Sequence, residues 1–441
     1  MGPFVLCIIL LLVFIFVNKE PHRKDDRTTT DVILGLVFKL CFPLHKFDQE
    51  PNTNTQIFTP SSFLVHMRHR LKMMTSWIKW IILNIWGFHI KMRSKPKQYL
   101  LSGSVTVERI HDILSLWEVC SKNQNVSVLG SLGTLHNSNE VEITLTCSSD
   151  CIHGDEIEFR KPTTGLFGNF YKTFDTCGLK DFSVFIKRDI PIVVWFHGGG
   201  MVLGDSCDEG IFLPYVLFMR SRKNLIWLSV NYRLAPEHPF PSAVIDGLSL
   251  LHHLIVKHPT TPIHIGGISA GGNLSAVVGL ETFRKYPSVV KSIVSLDPML
   301  DHRMCSKSHS LYKLSPFCPS SFLRYCWTVY LQLFPFQDEK TVAKLRQNSD
   351  QNDTNNIQRL ISPIVDLPLN LDSKLAPYFL VKTSKNDGLR DEGLELVNSL
   401  KHAGARFKAY ESVGSHEVSI ILDYVVFDSI MKTWCQLLFE T

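Results

Sequence analysis

The sequence carries little excess of either charge: 46 Lys and Arg face 41 Asp and Glu over 441 residues, a net charge of +5. A nucleic-acid-binding surface needs a concentrated basic patch, so the composition excludes nucleic acid as an expected partner. C-x-x-C pairs are also missing, and Cys147 and Cys151 have no further Cys or His pair at zinc-site spacing. We therefore expect neither a metal site nor a cofactor.

A single long apolar run stands near the start of the chain. Residues 3–17 have no polar face, no basic segment before them and no small-residue cleavage site after them. This pattern predicts an uncleaved, single-pass membrane anchor over residues 1–20, close to the lower length limit for a bilayer span. Lys19, Arg23 and Lys24 follow the run, and by the positive-inside rule they favour a cytosolic position for the downstream chain.

Residues 21–120 are interpreted as a linker and a helical cap segment. Within them, residues 62–92 combine tryptophans at helical spacing with lysines and arginines. That combination suits a membrane interface or a lid over an apolar cleft, and it suits equally a helix packed on its own domain.

Residues 121–441 alternate strand-like and helix-like segments, which predicts an α/β domain with a mostly parallel central sheet covered by helices. The residues from Val141 are expected to form an antiparallel edge strand. The alternation breaks over about 300–370, where aromatic and Pro-rich sequence gives way to polar sequence. A cap insertion is expected there. Buried strands are predicted from short apolar runs at 192–196, 225–230, 263–265, 293–296 and 378–381.

The central motif of the domain is Gly-x-Ser-x-Gly at residues 267–271. A short apolar strand precedes it and a small-residue helix follows it, which is the context of a nucleophile elbow. The sharp turn exposes the hydroxyl of Ser269 above the sheet, and the N–H of Ala270 can face an oxyanion. Gly267 and Gly271 are small because strand and helix pass close to each other there.

A second glycine-rich segment, His197-Gly198-Gly199-Gly200, directly follows the strand at 192–196. Three successive glycines remove every Cβ from the loop, so its N–H groups can converge on one point. Donors aimed in this way at a developing alkoxide are worth roughly 3–4 kcal/mol each. The order of this loop and the later elbow is that of an α/β-hydrolase oxyanion hole, with Gly198 and Gly199 as donors.

A nucleophilic serine needs a base and a group that orients the base, in the chain order Ser, Asp or Glu, His. Asp387 follows the predicted strand at 378–381, whereas the rival carboxylates Asp391 and Glu392 fall in the first turn of a predicted helix. The chain has 18 histidines. His416 is distinguished from the others because it follows the last predicted strand, at 407–410.

Together these segments resemble a known family. Phe196–Gly200, Val230–Pro241, Gly267–Leu274, Asp387–Gly393 and His416 resemble the hormone-sensitive-lipase group of α/β-hydrolase serine esterases, also called the GDXG lipolytic enzyme family. The N-terminal anchor and the overall length are most similar to its arylacetamide deacetylase-like branch.

The resemblance implies Ser269 as nucleophile, His416 as base and Asp387 as the orienting acid. It also implies that Arg233 and Glu237 have structural roles, and that the active site faces the lumen of the endoplasmic reticulum. The expected function is membrane-anchored hydrolysis of small apolar carboxylic esters, with amides as a second class, through an acyl-enzyme. The alternatives are a weak or inactive binding protein on the same scaffold, and a peptidase.

Several residues depart from the family pattern without removing a catalytic group. Ile268 stands where the family has Asp, Met201 where it usually has an aromatic residue, and Glu417 where it tends to have Gly. Val202 and Ser384 occupy places at which lumenal relatives often have Cys. These departures bear on rate, substrate preference and disulfide content.

Two glycosylation sequons begin at Asn125 and Asn352, and a third at Asn273 is expected to be buried in the helix after the elbow. Glycan on the first two would place the body of the chain in the lumen. That outcome would override the orientation favoured by the basic residues after the anchor.

Overall fold

The computed structural model describes residues 97–101, 141–147, 159–160, 173–174 and most of 190–331 and 355–440, with short gaps inside the last two ranges. The predicted anchor, the segment 62–92, both expected glycosylation sites and Glu417 lie outside the described residues. Among the helices that are described, none is both long enough and apolar enough to cross a bilayer.

The strands form one large sheet and one small hairpin-like pair. The large sheet has eight strands in the order β1-β2-β6-β5-β7-β8-β9-β10, and β3 pairs with β4. Pairs β1–β2 and β2–β6 are antiparallel, and every later pair is parallel. The strands are β1 Lys97–Leu101, β2 Val141–Cys147, β3 Phe159–Arg160, β4 Thr173–Phe174, β5 Ile192–Phe196, β6 Ile226–Asn231, β7 Ile263–Ile268, β8 Val290–Leu296, β9 Tyr378–Ser384 and β10 Phe407–Ser412.

This arrangement confirms the predicted mostly parallel sheet and the antiparallel strand from Val141. The expected edge position of that strand was wrong, because β2 lies between β1 and β6. The parallel strands are apolar because helices cover both faces of the sheet, as all five residues of β5 show by being fully buried. One strand, β1, lies within residues 21–120, where the sequence predicted a linker and helices.

Eight helices are described: α1 Phe212–Ser221, α2 Ser242–Lys257, α3 Ala270–Lys285, α4 Lys307–Leu311, α5 Ser320–Tyr330, α6 Asn355–Ile361, α7 Arg390–His402 and α8 Tyr424–Phe439. A single 3-10 turn, Pro363–Val365, follows α6. Helices α4 to α6 and this turn fall in the region 300–370 in which a cap insertion was expected.

Two separate cores lie on the two faces of the sheet. Along β5, alternate residues point to opposite faces, so Val194 joins the core beneath α2, α3 and α7, while Trp195 joins the core beneath α1 and α8. In the second core, the Trp195 ring lies 5.2 Å from that of Trp227 and 5.8 Å from that of Trp434. These rings fill the space between the sheet and α8.

The parallel strands all end at the same edge of the sheet. The loops after β5, β7, β8, β9 and β10 therefore meet there, although they are far apart in the chain. In open α/β sheets this carboxyl edge is where ligands bind.

Candidate active site

Ser269 sits on a strained turn between β7 and α3. Its φ of 57° and ψ of −119° lie in a region that residues with side chains rarely adopt. The N–H of Ser269 donates to the carbonyl of Leu296 at 2.8 Å, which ties the turn to the end of β8. This bond to β8 helps the strained turn to persist.

The glycines on either side of the serine are required by close backbone contacts. A Cβ on Gly267 would lie 2.0 Å from the carbonyl oxygen of Gly271, and a Cβ on Gly271 would lie 2.0 Å from that of Phe196. Any other residue would push α3 away from β5. The spacing in the motif therefore brings the start of α3 against the loop that follows β5.

The side chains of Ser269, His416 and Asp387 form one continuous hydrogen-bonded row. The Nε2 atom of His416 lies 2.9 Å from the Ser269 Oγ atom, and its Nδ1 atom lies 2.6 Å from Oδ2 of Asp387. Because an ionised carboxylate only accepts, Nδ1 carries the proton and Nε2 is left to accept from the serine hydroxyl. This is the arrangement that general-base activation of a serine requires.

The loops that carry Asp387 and His416 are joined to each other. Backbone N–H groups of Lys385 and Asn386 donate to the carbonyls of Ser412 and Gly414. The second oxygen of Asp387 accepts from the Leu389 N–H at 3.0 Å, so that the carboxylate is held on both sides. All three side chains of the row are buried.

The loop after β5 has the backbone that its three glycines permit. Gly199 has a φ of +113°, and a Cβ there would lie 2.2 Å from the carbonyl oxygen of Leu203. The carbonyl of Gly199 accepts from the N–H groups of Val202 and Leu203, which closes a tight turn. Gly200 also has positive φ, and a Cβ there would lie 2.3 Å from the sulfur of Cys326 on α5.

His197 anchors this glycine loop. Its ring stacks on that of Tyr232 with centroids 4.2 Å apart and planes 11° apart, and the Tyr232 hydroxyl donates to the His197 carbonyl at 2.8 Å. Its Nδ1 atom lies 2.7 Å from the Gly198 carbonyl oxygen. The loop is thus held by the His197 ring and by Tyr232, which directly follows β6.

Ala270 begins α3 beside this loop. The first N–H groups of a helix have no acceptor inside the helix, and the helix dipole places partial positive charge there. The amides of Gly198, Gly199 and Ala270, the three oxyanion donors expected from the sequence, therefore belong to two segments that Gly271 brings into contact.

Arg233 pairs with Asp246 on α2. The backbone N–H and the Nε of Arg233 both donate to that carboxylate at 2.9 Å. Burial raises the pKa of Asp246, and the charge and hydrogen bonds of Arg233 oppose the rise. Ala235 donates from its N–H to the Met201 carbonyl at 2.9 Å, whereas Glu237 is exposed. Arg233 therefore joins the segment after β6 to α2, and Ala235 joins the same segment to the glycine loop.

The rival carboxylates have other partners. Asp391 accepts from the N–H of Ser308 at 2.9 Å. Glu392 accepts from the N–H groups of Leu300 and Asp301 with one oxygen, and its other oxygen lies 2.6 Å from Nε2 of His309. These contacts join the start of α7 to the segment after β8 and to α4.

Of the family departures, Ile268 is 4% exposed and packs in the core beneath α8, whereas Met201 is fully buried with a φ of 62°. Val202 is also fully buried. Ser384 donates its hydroxyl to Asp297 at 2.8 Å.

The sequence reasoning missed one cluster next to the row. Asp297, after β8, is paired with Lys382 on β9, and both side chains are fully buried. A sequence signal existed: Lys382 interrupts an apolar strand, and a buried lysine needs a partner of opposite charge. Asp297, Asp387 and His416 are grouped closely enough to resemble a metal site. However, the oxygens of Asp297 contact Lys382 and Ser384, and the nitrogens of His416 contact Asp387 and Ser269.

Comparison with known proteins gives a consistent result. A family model described as alpha/beta hydrolase fold matches residues 193–416. Carboxylesterase 20 of Arabidopsis thaliana is 30% identical over 157 residues, which are 33% of this chain and 48% of that protein. Carboxylic ester hydrolase LipN of Mycobacterium tuberculosis is 30% identical over 225 residues, 48% of this chain and 53% of that protein. The chain thus spans about half the length of these two relatives.

Among solved structures, a hyperthermophilic esterase from Pyrobaculum calidifontis matches with a TM-score of 0.55 and 19% identity, covering 92% of this chain and 96% of that one. At this identity the likeness concerns the fold alone.

Proposed function

Because the chain belongs to the alpha/beta hydrolase fold family, we propose that it is a serine hydrolase of carboxylic esters. The observation that carries the proposal is the row Ser269–His416–Asp387, with contacts of 2.9 and 2.6 Å, on a strained turn at the carboxyl edge of the sheet. A buried serine that takes no part in catalysis needs neither a positive φ nor a hydrogen bond to a histidine that is paired with a carboxylate.

The chemistry follows from the direction of these hydrogen bonds. Oγ of Ser269 attacks the ester carbonyl carbon while its proton passes to Nε2 of His416, and the carbonyl π electrons move onto oxygen. Collapse of the tetrahedral intermediate expels the alkoxide, which takes that proton from His416 and leaves as the alcohol. Water, deprotonated by His416, then attacks the acyl-enzyme carbonyl carbon. Collapse of this second tetrahedral intermediate breaks the bond to Oγ, which takes the proton back from His416, and the acid is released.

Asp387 keeps the imidazole in the required tautomer and stabilises the imidazolium that forms in each half-reaction. The amides of Gly198, Gly199 and Ala270 receive the oxyanion. Such donors contribute roughly 3–4 kcal/mol each because they are fixed before the charge develops.

We propose small apolar esters as the substrate class, with amides second, in keeping with the arylacetamide deacetylase-like resemblance. Support comes from the residues next to the glycine loop. Met201 is fully buried there, and the thiol of Cys326 on α5 is close to Gly200. Burial raises the pKa of that thiol well above its usual range, so the thiol stays neutral and packs as a small apolar group.

The membrane anchor over residues 1–20 and a lumenal position in the endoplasmic reticulum are also part of the proposal, on the sequence argument alone. If glycan occupies Asn125 and Asn352, endoglycosidase treatment of the membrane fraction will increase the mobility of the chain. A chain that extracts with carbonate and shows no shift would contradict this location.

The activity is tested with a fluorophosphonate probe and p-nitrophenyl esters of increasing acyl length. Wild-type protein should label and hydrolyse, and Ser269→Ala should do neither. Ser221→Ala, at a partly exposed serine at the end of α1, is the matched control and should behave as wild type. Labelling retained in Ser269→Ala would refute the assignment of the nucleophile. Failure of correctly folded wild-type protein to label or hydrolyse would favour a binding protein.

A further inference from the structure

A second buried carboxylate stands beside the catalytic row. One oxygen of Asp297, one oxygen of Asp387 and one ring nitrogen of His416 all lie within 4.8 Å of one another. Asp297 is 1% exposed and follows β8, the strand between those that lead to Ser269 and Asp387. The mechanism described above uses Asp387 and leaves Asp297 without a task.

The carboxylate of Asp297 is held in this position by β9. Lys382 donates to one oxygen at 2.5 Å and Ser384 to the other at 2.8 Å, and the two donors are themselves 2.7 Å apart. The backbone contributes as well, because Asp297 has a φ of 43° and donates its N–H to the Lys382 carbonyl at 2.7 Å. Asp297 is thus joined to β9 through both its backbone and its side chain.

The charges of this group balance around the imidazole. Two carboxylates this close would repel each other in a buried site, and the ammonium of Lys382 offsets one of them. One net negative charge then faces His416, and it matches the imidazolium that forms when the serine proton is taken. Lys382 thus allows a second carboxylate to remain near the base without raising the net charge of the site.

Asp297 is also within reach of the imidazole if Asp387 is lost. The Asp297 oxygen and the His416 ring nitrogen lie within 4.8 Å of each other, which is within about the span of one bridging water, since two hydrogen bonds of about 2.8 Å at a tetrahedral angle cover about 4.6 Å. Truncation of Asp387 would provide the space for such a water, or for a small movement of Asp297 itself.

We propose that Asp297, held by Lys382 and Ser384, is a second positioning residue for His416, able to orient the imidazole when Asp387 is absent. This inference rests on the proposed serine hydrolase function. It distinguishes this chain from a hydrolase with a single acid, in which removal of that acid leaves the histidine without an orienting group.

The test compares kcat/KM for a p-nitrophenyl ester in full-length single and double variants. Changing the acid of a one-acid triad costs about 10⁴-fold. With Asp297 as a second acid, Asp387→Ala should lose only about 10²-fold, and Asp387→Ala/Asp297→Asn should lose a further 10-fold or more. Asp387→Ala/Asp301→Asn is the matched control, because Asp301 lies in the same segment and also has a cationic partner, Arg303. The kcat/KM of this control should equal that of Asp387→Ala. Equal kcat/KM in all three variants would overturn the proposal. An equal further loss in the two double variants would also overturn it.

Chemical rescue gives a second readout that needs only Asp387→Ala and so does not depend on the folding of a double variant. If Asp297 already orients His416, added formate should change the activity of Asp387→Ala less than twofold. A tenfold or larger rescue would show that the imidazole lacks an acid and would overturn the proposal. Ser269→Ala gives the background rate. If wild type is active and Ser269→Ala is inactive, the serine mechanism stands whatever Asp297 does. If Ser269→Ala retains the wild-type activity, both proposals are overturned.

Discussion

The buried ion pair between Lys382 and Asp297 makes a sharp prediction about stability. Both side chains are fully buried, and the ammonium lies 2.5 Å from the carboxylate. In Lys382→Met the methionine fills similar space, but it leaves the carboxylate of Asp297 without its cation. Removing one partner of a buried pair costs about 3–5 kcal/mol, because the remaining charge has lost its compensation.

The double variant Lys382→Met/Asp297→Asn separates that penalty from ordinary packing. Asparagine keeps the shape of the side chain and can still accept from Ser384, but it has no charge, so no uncompensated charge is left in the core. Neutral replacement of a buried pair is often close to neutral in stability. We therefore expect the double variant to lose about 1–2 kcal/mol, which is about 2–3 kcal/mol less than Lys382→Met alone loses.

The assay is equilibrium urea unfolding of the full chain, followed by tryptophan fluorescence. Trp195, Trp227 and Trp434 form a buried cluster on one face of the sheet and report its integrity. Lys401→Met, at an exposed position on α7, is the matched control and should change stability by less than about 0.5 kcal/mol. A loss below about 1 kcal/mol in Lys382→Met, or a double variant no more stable than the single one, would refute the reasoning.

Three further predictions follow from the described residues. Burial raises the pKa of Glu392 above its usual 4.5, so the folded chain retains a proton that the unfolded chain releases, and stability falls as the pH rises above 4.5. Glu392→Gln cannot ionise and should flatten that fall in urea titrations between pH 4.5 and 7; an unchanged slope would contradict it. Burial lowers the pKa of His264 from 6.5 to about 3, so the unfolded chain alone takes up a proton as the pH falls below 6.5. The free energy of unfolding of wild type should then fall by about 2 kcal/mol between pH 7 and 5. His264→Asn can keep the bond to Ser292 and should not show this fall. Parallel stability curves for the two proteins would count against this. Gly271→Ala places a Cβ 2.0 Å from the Phe196 carbonyl and should cost roughly 2–3 kcal/mol and most of the esterase activity, whereas full activity at normal stability would show that the two segments need not touch.

Much of the local structure follows from short stretches of sequence. The apolar run before the elbow predicted a strand, and the structure has β7 at Ile263–Ile268. The helix expected after Asp387 is found as α7, Arg390–His402. Glycine spacing predicted a sharp turn at Ser269, and the turn has the strained φ expected of it. These features depend on neighbours within a few positions, which is why pattern and residue type were sufficient.

Other features depend on which strands become neighbours. No local signal in Lys97–Leu101 marked it as the edge strand β1, because its pairing partner β2 lies some forty positions later. The direct pairing of Arg233 with Asp246 was likewise not predicted, although a structural role for Arg233 was. The three candidate catalytic residues were selected by their order after predicted strands, and only the distances between them show that the side chains meet.

The sequence by itself determined the residue types at the elbow, in the glycine loop and after the later strands, and it determined the alternation that makes a parallel sheet. The strand order β7-β8-β9-β10 decided the rest. It brings Asp297 and Lys382, 85 positions apart, into one buried pair next to His416. A charged residue read in isolation does not reveal its partner, because a buried charge is stable only through a contact that folding of the whole sheet creates.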